Sequence, residues 1–573
     1  MIGRGTPVNA RTWPRRAVGA IVVSALSNAT IALIAVVSVG TSLQAQAAFT
    51  RVADSPLPRG FARLRVIPSW TRFEDRFAGS AAAGPSTVPL ASVLASDSLG
   101  VTQISGLAPS EQALRTLTGD PTFRLSLGRS VSRATARIVT TALAAEFGLT
   151  RRLTLGAVFP IVQTRTELFV ELNPDDATGA NVGPNPARIQ QTPDGAQERA
   201  IDLQEQLQAA GVTLQTRLDQ CTQNPSDPGC GTILANRNDV MSLIGETAAF
   251  QSAVALLFGD SNDDAGQPFA PLAGSTTATA IQNRLTTLTT RLQSYIGSAA
   301  DQIVATVPGA VGPAGFGDVQ DLLLRGEFGL SPDSLGAVYR FNFGDIELGA
   351  KLLVLERGGW TPGAGRPSAS LRTRLSLIGG VRLGTGKPTL ERMPHRYLEY
   401  GTGDGQTDVE GGVLLDVGLG SRLTITALGR YTMQLGEVEA GRVPDENGVI
   451  NPFTPVYDGT RRLGDIIVGE VTPRFLIGRY FGADAHYAVI VRADDEYSPL
   501  TSGEAPLQRG GYTEQRVGLG ITYSTLRGAR SRVPRVPVEL SIAHIETIAG
   551  SSAIVPRASR QQIELRLYYQ VYR

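Results

Sequence analysis

The stretch DVEGGVLLDVGLGSRLTITALGRYT, Asp408 to Thr432, repeats with a period of two. Val409, Val413, Leu415, Val417, Leu423, Ile425 and Tyr431 fall on one face. Asp408, Glu410, Asp416, Arg422, Thr424, Thr426 and Arg430 fall on the other. Strict alternation places side chains on opposite sides of an extended chain, and Gly420-Ser421 marks a tight turn between two such runs. A hairpin with one apolar and one charged face belongs either to a soluble sandwich or to a transmembrane barrel. In a barrel the apolar face meets lipid and the polar face lines the lumen.

The same pattern recurs along the chain. TARIVTTALAAEFGL sets Val139, Leu143 and Phe147 against Thr140, Ala142 and Glu146, and LTLGAVFPIV follows after a short turn. SLRTRLSLIGGVRLG sets Leu371, Leu375, Leu377, Val381 and Leu383 against Arg372, Arg374 and Arg382. In 466–492 the polar face carries Glu470, Arg474, Asp484, His486 and Arg492, and in 514–523 it carries Glu514 and Arg516. The closing IELRLYYQVYR sets Leu565, Leu567 and Val571 against Glu564, Arg566 and Gln570. GFARLRVIPSWTRF is a candidate first strand, and the segments holding Arg325 and Glu327, and Glu347 and Lys351, supply two or three more. The charges of mixed sign on the polar faces, including Arg422 and Arg430, are the expected lumen lining. Segments of this length joined by alternating short and long connections favour an all-β transmembrane β-barrel of about 12–14 antiparallel strands over a sandwich. Short turns at 149–152, 420–421 and 477–479 mark the periplasmic end. The long connections 386–407, 436–461 and 494–510 face outside.

Residues 168–317 break the pattern. Ile201, Leu207, Leu214 and Leu218, then Ile281, Leu285, Leu288 and Leu292, recur at helical spacing, so an α-helical segment is inserted in one long loop. Such an insert covers, plugs or overhangs the pore. The expected organisation is a signal peptide over 1–47, an N-terminal segment over 48–133, a hairpin over 134–167, the helical insertion over 168–317, and the rest of the barrel over 318–573.

The signal peptide is read from Arg4, Arg11, Arg15 and Arg16, an apolar run from Ala17 to about Val39, and small residues Ala45 and Ala47 before the expected cleavage point. Export agrees with Cys221 and Cys230, which bracket a turn-rich loop and would close as a local disulfide outside the cytoplasm. A net charge of +1 over 573 residues gives no reason to expect a nucleic-acid partner. Catalytic signatures are weak. His395, His486 and His544 are the three histidines, and none has a nucleophile signature beside it. GTGKPT at 384–389 lacks the first glycine of a phosphate loop. DSNDDAGQ at 260–267 has Ala265 at the sixth position of a calcium loop and no closing Glu. YGTGDGQTD at 400–408 reads as a flexible loop first and a weak cation site second. No enzyme activity, cofactor or metal is expected.

ARIVTTALAAEFGLTRRLTLGAVFPIVQTRTEL, GFGDVQDLLLRGEFGL, GGVRLGTGKP and LEYGTGDGQTDVEGGVLLDV resemble the outer-membrane barrels of the MetA-pathway phenol-degradation and putative transporter type. The resemblance covers roughly 60–73 and 134–573 without the insert. It implies diffusive passage of small, often hydrophobic solutes, with outer-membrane lipid and the barrel-assembly machinery as partners. Such barrels usually end on an aromatic residue, whereas this chain ends on Arg573 after Tyr572. Two other readings stand beside the channel: a barrel that anchors the helical insert as a receptor, and a barrel-embedded enzyme.

Overall fold

The computed structural model describes residues 56–571 except 80–85, 175–178, 189–194, 261–265, 304–305, 325–335, 359–370, 389–397, 452–456, 479, 499–505 and 527–536. The signal-peptide reading, Arg325, Glu327, His395 and most of the calcium-loop stretch lie outside the described residues.

Thirteen strands form one antiparallel sheet that closes on itself. They are β1 Phe61–Phe73, β2 Ser130–Gly148, β3 Leu153–Leu172, β4 Val338–Phe343, β5 Ile346–Arg357, β6 Leu371–Leu383 and β7 Asp408–Leu419. They continue as β8 Leu423–Gln434, β9 Ile466–Ile477, β10 Phe481–Arg492, β11 Tyr512–Ser524, β12 Val538–Gly550 and β13 Ser559–Gln570. Both β4 and β5 pair with β3, β4 through Ile161–Thr166 and β5 through Leu153–Val158, so they share one position and the wall has twelve staves. Closure comes at β1, which pairs with β13 on one side and β2 on the other.

The burial pattern settles which face is which. Leu519 is 72% exposed on the outer wall while Arg65 is 1% exposed inside it. Leu64, Leu143, Phe159, Leu377, Val413, Phe475 and Ile542 are exposed as well. A soluble sheet protein would put these side chains in its core. A continuous apolar belt around a closed sheet with polar residues inside is the arrangement a bilayer demands, because lipid leaves no backbone edge unpaired and solvates apolar side chains. Aromatic residues gather at the end with short turns, where Tyr480 and Phe481 pack against Tyr523 at ring separations of 6.1 and 5.3 Å.

Two sequence expectations change. Asp318–Leu324, the described part of a stretch expected as a strand over 318–330, belongs to helix α6, Phe316–Leu324. Phe316, Val319 and Leu323 recur at helical spacing there, and the Asp318 carboxylate accepts from Gly315 N at 2.8 Å, which tethers the first turn. Arg422, expected in the lumen, sits exposed in the turn after Gly420. Its polar neighbours continue the alternation, but Gly420 with φ +58° already ends the strand. Strands β2 and β3 run for 19 and 20 residues, about twice what a bilayer needs, so their upper halves stand above the membrane.

Those upper halves carry a cap. It contains α1 Ala108–Thr118, α2 Ala196–Gln223, α3 Cys230–Ala235, α4 Arg237–Phe258, α5 Thr276–Ile296 and α6. The segment between β1 and β2 and the segment between β3 and β4 share one core, in which Ile104, Leu107 and Leu114 are buried in the same cluster as Leu203, Leu207, Phe250 and Leu285. Amphipathic helices bury their apolar stripes against one another. Helix α4 is long and apolar enough to cross a bilayer, yet Val240, Leu243, Phe250 and Val254 lie in the cap core. Helix α5 is capped by Ser275, whose hydroxyl accepts from Ala278 N at 3.1 Å.

Cys221 and Cys230 are joined, linking the end of α2 to the start of α3. The loop they close is short, so replacing both by Ser is expected to cost the cap about 2–3 kcal/mol and to leave barrel unfolding unchanged. Chemical denaturation followed separately by cap and barrel probes checks this.

Between α4 and α5, Asp239 accepts from Tyr295 Oη at 2.8 Å and from Arg291 Nη2 at 2.7 Å. The Tyr295 hydrogen bond, then Arg291, holds its carboxyl below the ordinary Asp range. A lowered folded value stabilises above the ordinary value of about 3.9, and this is lost as pH falls through the lower folded value. Tyr295→Phe is therefore expected to lower cap melting at neutral pH, and the difference from wild type is expected to vanish in stronger acid. Melting curves of both proteins across that range check it.

Candidate functional site

The inner wall divides into a charged lower lumen and an apolar upper mouth. In the lower lumen, β1, β2, β5 and β13 bring Arg63, Arg65, Glu146, Lys351, Glu564 and Arg566 together. Arg63 binds Glu146 through both its Nε and an Nη. Arg65 Nη1 and Lys351 Nζ lie 3.5 and 3.6 Å from Glu146 Oε1. Arg65 Nε also donates to Glu564 Oε1 at 2.7 Å, and Arg566 grips the same carboxylate at 2.8 and 2.9 Å. Arg566 extends the chain to Glu539 at 3.5 Å, which accepts from Tyr568 Oη at 2.6 Å. All these side chains except the half-buried Tyr568 are nearly inaccessible. Buried charges persist only when paired this densely, because removal from water costs several kcal/mol per ion.

The opposite wall carries separate pairs. Arg374 lies 4.0 Å from Asp416, which accepts from Thr426 Oγ1 at 2.8 Å. Arg430 donates to Glu410 at 3.2 Å, and Arg474 lies 3.7 Å from Asp484. Arg516 is bidentate to Glu514, and Arg492 pairs with Asp495 just above the wall. His486 Nδ1 is 3.2 Å from Thr472 Oγ1, and Glu470 and Glu347 are buried on the same inner face. Arg372 lies low on the inner face, half-buried, and donates to Gly420 O at 3.2 Å. Patches of Ile67, Ala142, Ala144 and Val158, and of Ile378, Leu414 and Leu428, lie between the pairs.

At the mouth, two segments fold inward. The described parts of 384–407 turn back into the barrel, where Thr164 Oγ1 donates to Tyr400 O at 2.9 Å and Thr166 Oγ1 to Leu398 O at 2.8 Å. From the other side, Ser132 Oγ donates to Ala91 O and Ser130 Oγ to Leu94 O, each at 2.7 Å. Leu90, Ala91, Leu398 and Tyr400 meet Phe73, Ala134, Ala136, Ile138 and Val162 in one apolar cluster, with Phe73 and Tyr400 edge to face at 5.4 Å.

Asp345 holds the second segment. It occupies the break between β4 and β5, is 6% exposed, and accepts from Gly386 N at 2.8 Å and Asp404 N at 3.1 Å. A Cβ on Gly403 would stand 2.4 Å from Asp345 Oδ1, so only glycine fits. Arg382 pairs with Asp408 and with Asp404 at 3.0 Å, and Arg340 pairs with Glu399 and donates to Pro388 O at 2.6 Å. The stretch at 400–408 is therefore a packed element and its carboxylates are held by Arg382. No group of acidic, His or Cys side chains able to hold a metal occurs among the described residues.

Arg63 and Arg65, on the polar face of the candidate first strand, line the lower lumen, and Asp408, on the polar face of its hairpin, lies at the mouth. Residues outside the sequence-derived lining carry the rest: Glu539 lines the lower lumen, and Arg340, Asp345, Glu399 and Asp404 hold the mouth. Strand β12 disguises Glu539, because its outer face carries His544 and Glu546, 2.9 Å apart, and its inner face carries Ala543 and Ile545.

No protein-family model matches the sequence, and no curated protein matches it. Solved structures similar to the chain include the TodX deltaS2S3 mutant monoaromatic hydrocarbon channel, at 10% identity over 90% of each chain with a TM-score of 0.25. The translocator domain of autotransporter NalP from Neisseria meningitidis aligns at 7% identity over 90% of this chain and 89% of that one, with a TM-score of 0.24. A Pseudomonas aeruginosa FadL homologue aligns at 8% identity over 89% and 90%, with a TM-score of 0.21. Likeness at this level carries neither a solute nor a residue role across to this chain.

Proposed function

We propose that this chain is an outer-membrane channel for diffusive passage of small solutes, hydrophobic ones among them, whose mouth is held shut by the inward-folded segment around 398–404. The observation that carries the reading is the Asp345 contact with Gly386 and Asp404, beside an apolar cluster that fills the mouth. A lumen built from many side chains, no visible energy source and the sequence resemblance to small-solute barrels support passage by diffusion. The apolar belt supports outer-membrane lipid as its surroundings, and folding there calls on the barrel-assembly machinery. The charged side chains of the inner face set which solutes pass, with Glu146, Arg374, Glu410, Arg474, Asp484 and Arg516 among them.

Asp345→Ala frees two backbone donors and a tightly packed segment. Its single-channel conductance in planar bilayers is expected to rise severalfold over wild type, with uptake of phenol into proteoliposomes rising in parallel. Equal conductance and equal uptake in both proteins would count against the reading. A second reading, a barrel that anchors the cap as a docking surface, rests on the cap's own core. It requires that opening the mouth leave both readouts unchanged.

A further inference from the structure

Three arginines stand side by side on the outer wall. Arg72 of β1 is directly opposite Arg137 of β2, which is directly opposite Arg165 of β3. All three point outward and are exposed. Directly opposed residues on neighbouring strands hold their Cβ atoms about 4.5–5.5 Å apart, and like charges there repel. The closed sheet fixes the register, so these charges cannot slip past one another.

Their level is informative. The next row toward the membrane contains Trp70, Val139, Gln163 and Phe341, all on the outer face, with Trp70 and Phe341 44% and 64% exposed. Tyr339 continues the arginine row on β4 and is 59% exposed. A tryptophan–tyrosine rim marks the boundary between acyl chains and headgroups. The arginine row therefore sits at headgroup depth on the end opposite the short turns, which is the outer leaflet.

The acidic neighbours neutralise it only in part, two glutamates against three arginines. Arg72 pairs with Glu74, and Arg165 lies 2.9 Å from Glu167. Glu546 lies on the same row but beyond Ser559, and pairs with His544. Arg137 has no hydrogen-bonded partner among the described residues, and neither does Arg133, four residues higher on the same face. Arginine forks fit phosphate oxygens bidentately, and two or three of them converging on one anion relieve their mutual repulsion.

We infer that Arg72, Arg137 and Arg165 form a binding site for a phosphate group of an outer-leaflet lipid headgroup, which seats the barrel in the membrane at its extended hairpin. The test uses the full-length protein in detergent micelles with bis-phosphorylated lipid A, the same lipid after phosphatase treatment, or inorganic phosphate. Native mass spectrometry reads bound lipid, and heat-modified electrophoretic mobility reports folding. The wild-type protein is expected to retain bis-phosphorylated lipid A and to release the dephosphorylated form. Arg72→Gln/Arg137→Gln/Arg165→Gln is expected to migrate as a folded barrel with retention about tenfold lower or less, the loss of at least one charge-assisted hydrogen bond. Arg137→Gln alone, which breaks no hydrogen bond among the described residues, is expected to lower retention by a smaller factor and serves if the triple variant does not fold. Equal retention of both lipids, undiminished retention in the folded variants, or displacement of the lipid by inorganic phosphate at equal concentration would overturn the inference.

Discussion

Replacing Leu565 by arginine is expected to cost the folded barrel about 2–4 kcal/mol, while arginine at Gln570 is expected to cost close to nothing. On β13 the outer face runs from Gln561 through Ile563, Leu565 and Leu567 to Tyr569. Leu565 is midway between the polar residue at one margin and the aromatic residue at the other, so it lies near the bilayer midplane. A guanidinium there must snorkel or drag water into hydrocarbon. Gln570 is exposed at the lumen rim, where an added cation meets water. Urea unfolding of both variants refolded into lipid vesicles gives the two values, and equal costs would remove the basis for the membrane assignment.

The second large effect concerns Glu146, whose side chain is fully buried among Arg63, Arg65 and Lys351. Glu146→Ala is expected to destabilise the barrel by about 3–5 kcal/mol, because three buried cations lose their shared counter-charge. Glu410→Gln, at a less buried single pair with Arg430, is expected to cost about 1 kcal/mol or less. The same unfolding assay compares them. A cost at Glu146 no greater than at Glu410 would mean that water reaches the lower lumen freely.

Much of the wall was legible from alternation alone. Runs such as 371–383, 408–432 and 512–524 keep their charged residues on one face and an apolar row on the other, because lipid on one side admits no charge. The inner face also takes a few apolar residues such as Ile378, Leu414 and Leu428. A range of about 12–14 strands, which includes the observed twelve staves, and the helical insertion follow from the same contrast of periods. What alternation could not reveal was tertiary. The glycine-rich stretch at 400–408 looks like a solvated loop in one dimension. Gly403 is there because Asp345, 58 residues earlier, leaves no space for a Cβ beside it, and Gly401 is crowded in the same way by Lys387 O. The shared core of α1 with α2, α4 and α5 joins two chain segments separated by the β2–β3 hairpin, and local spacing is blind to such pairings. In β12, His544 and Glu546 lie on the outer face near its upper margin, so the contrast between faces fades where Glu539 needed it.

The central claim is that a closed mouth, not the barrel wall, limits passage. The most direct measurement is the single-channel current of wild-type protein and of Asp345→Ala/Glu399→Ala in the same planar bilayers. The wild type is expected to give small or rare openings, and the double variant, with two of the ties to the inward segment removed, steady ohmic steps several times larger. Identical currents in the two proteins, whether silent or open, would contradict the account.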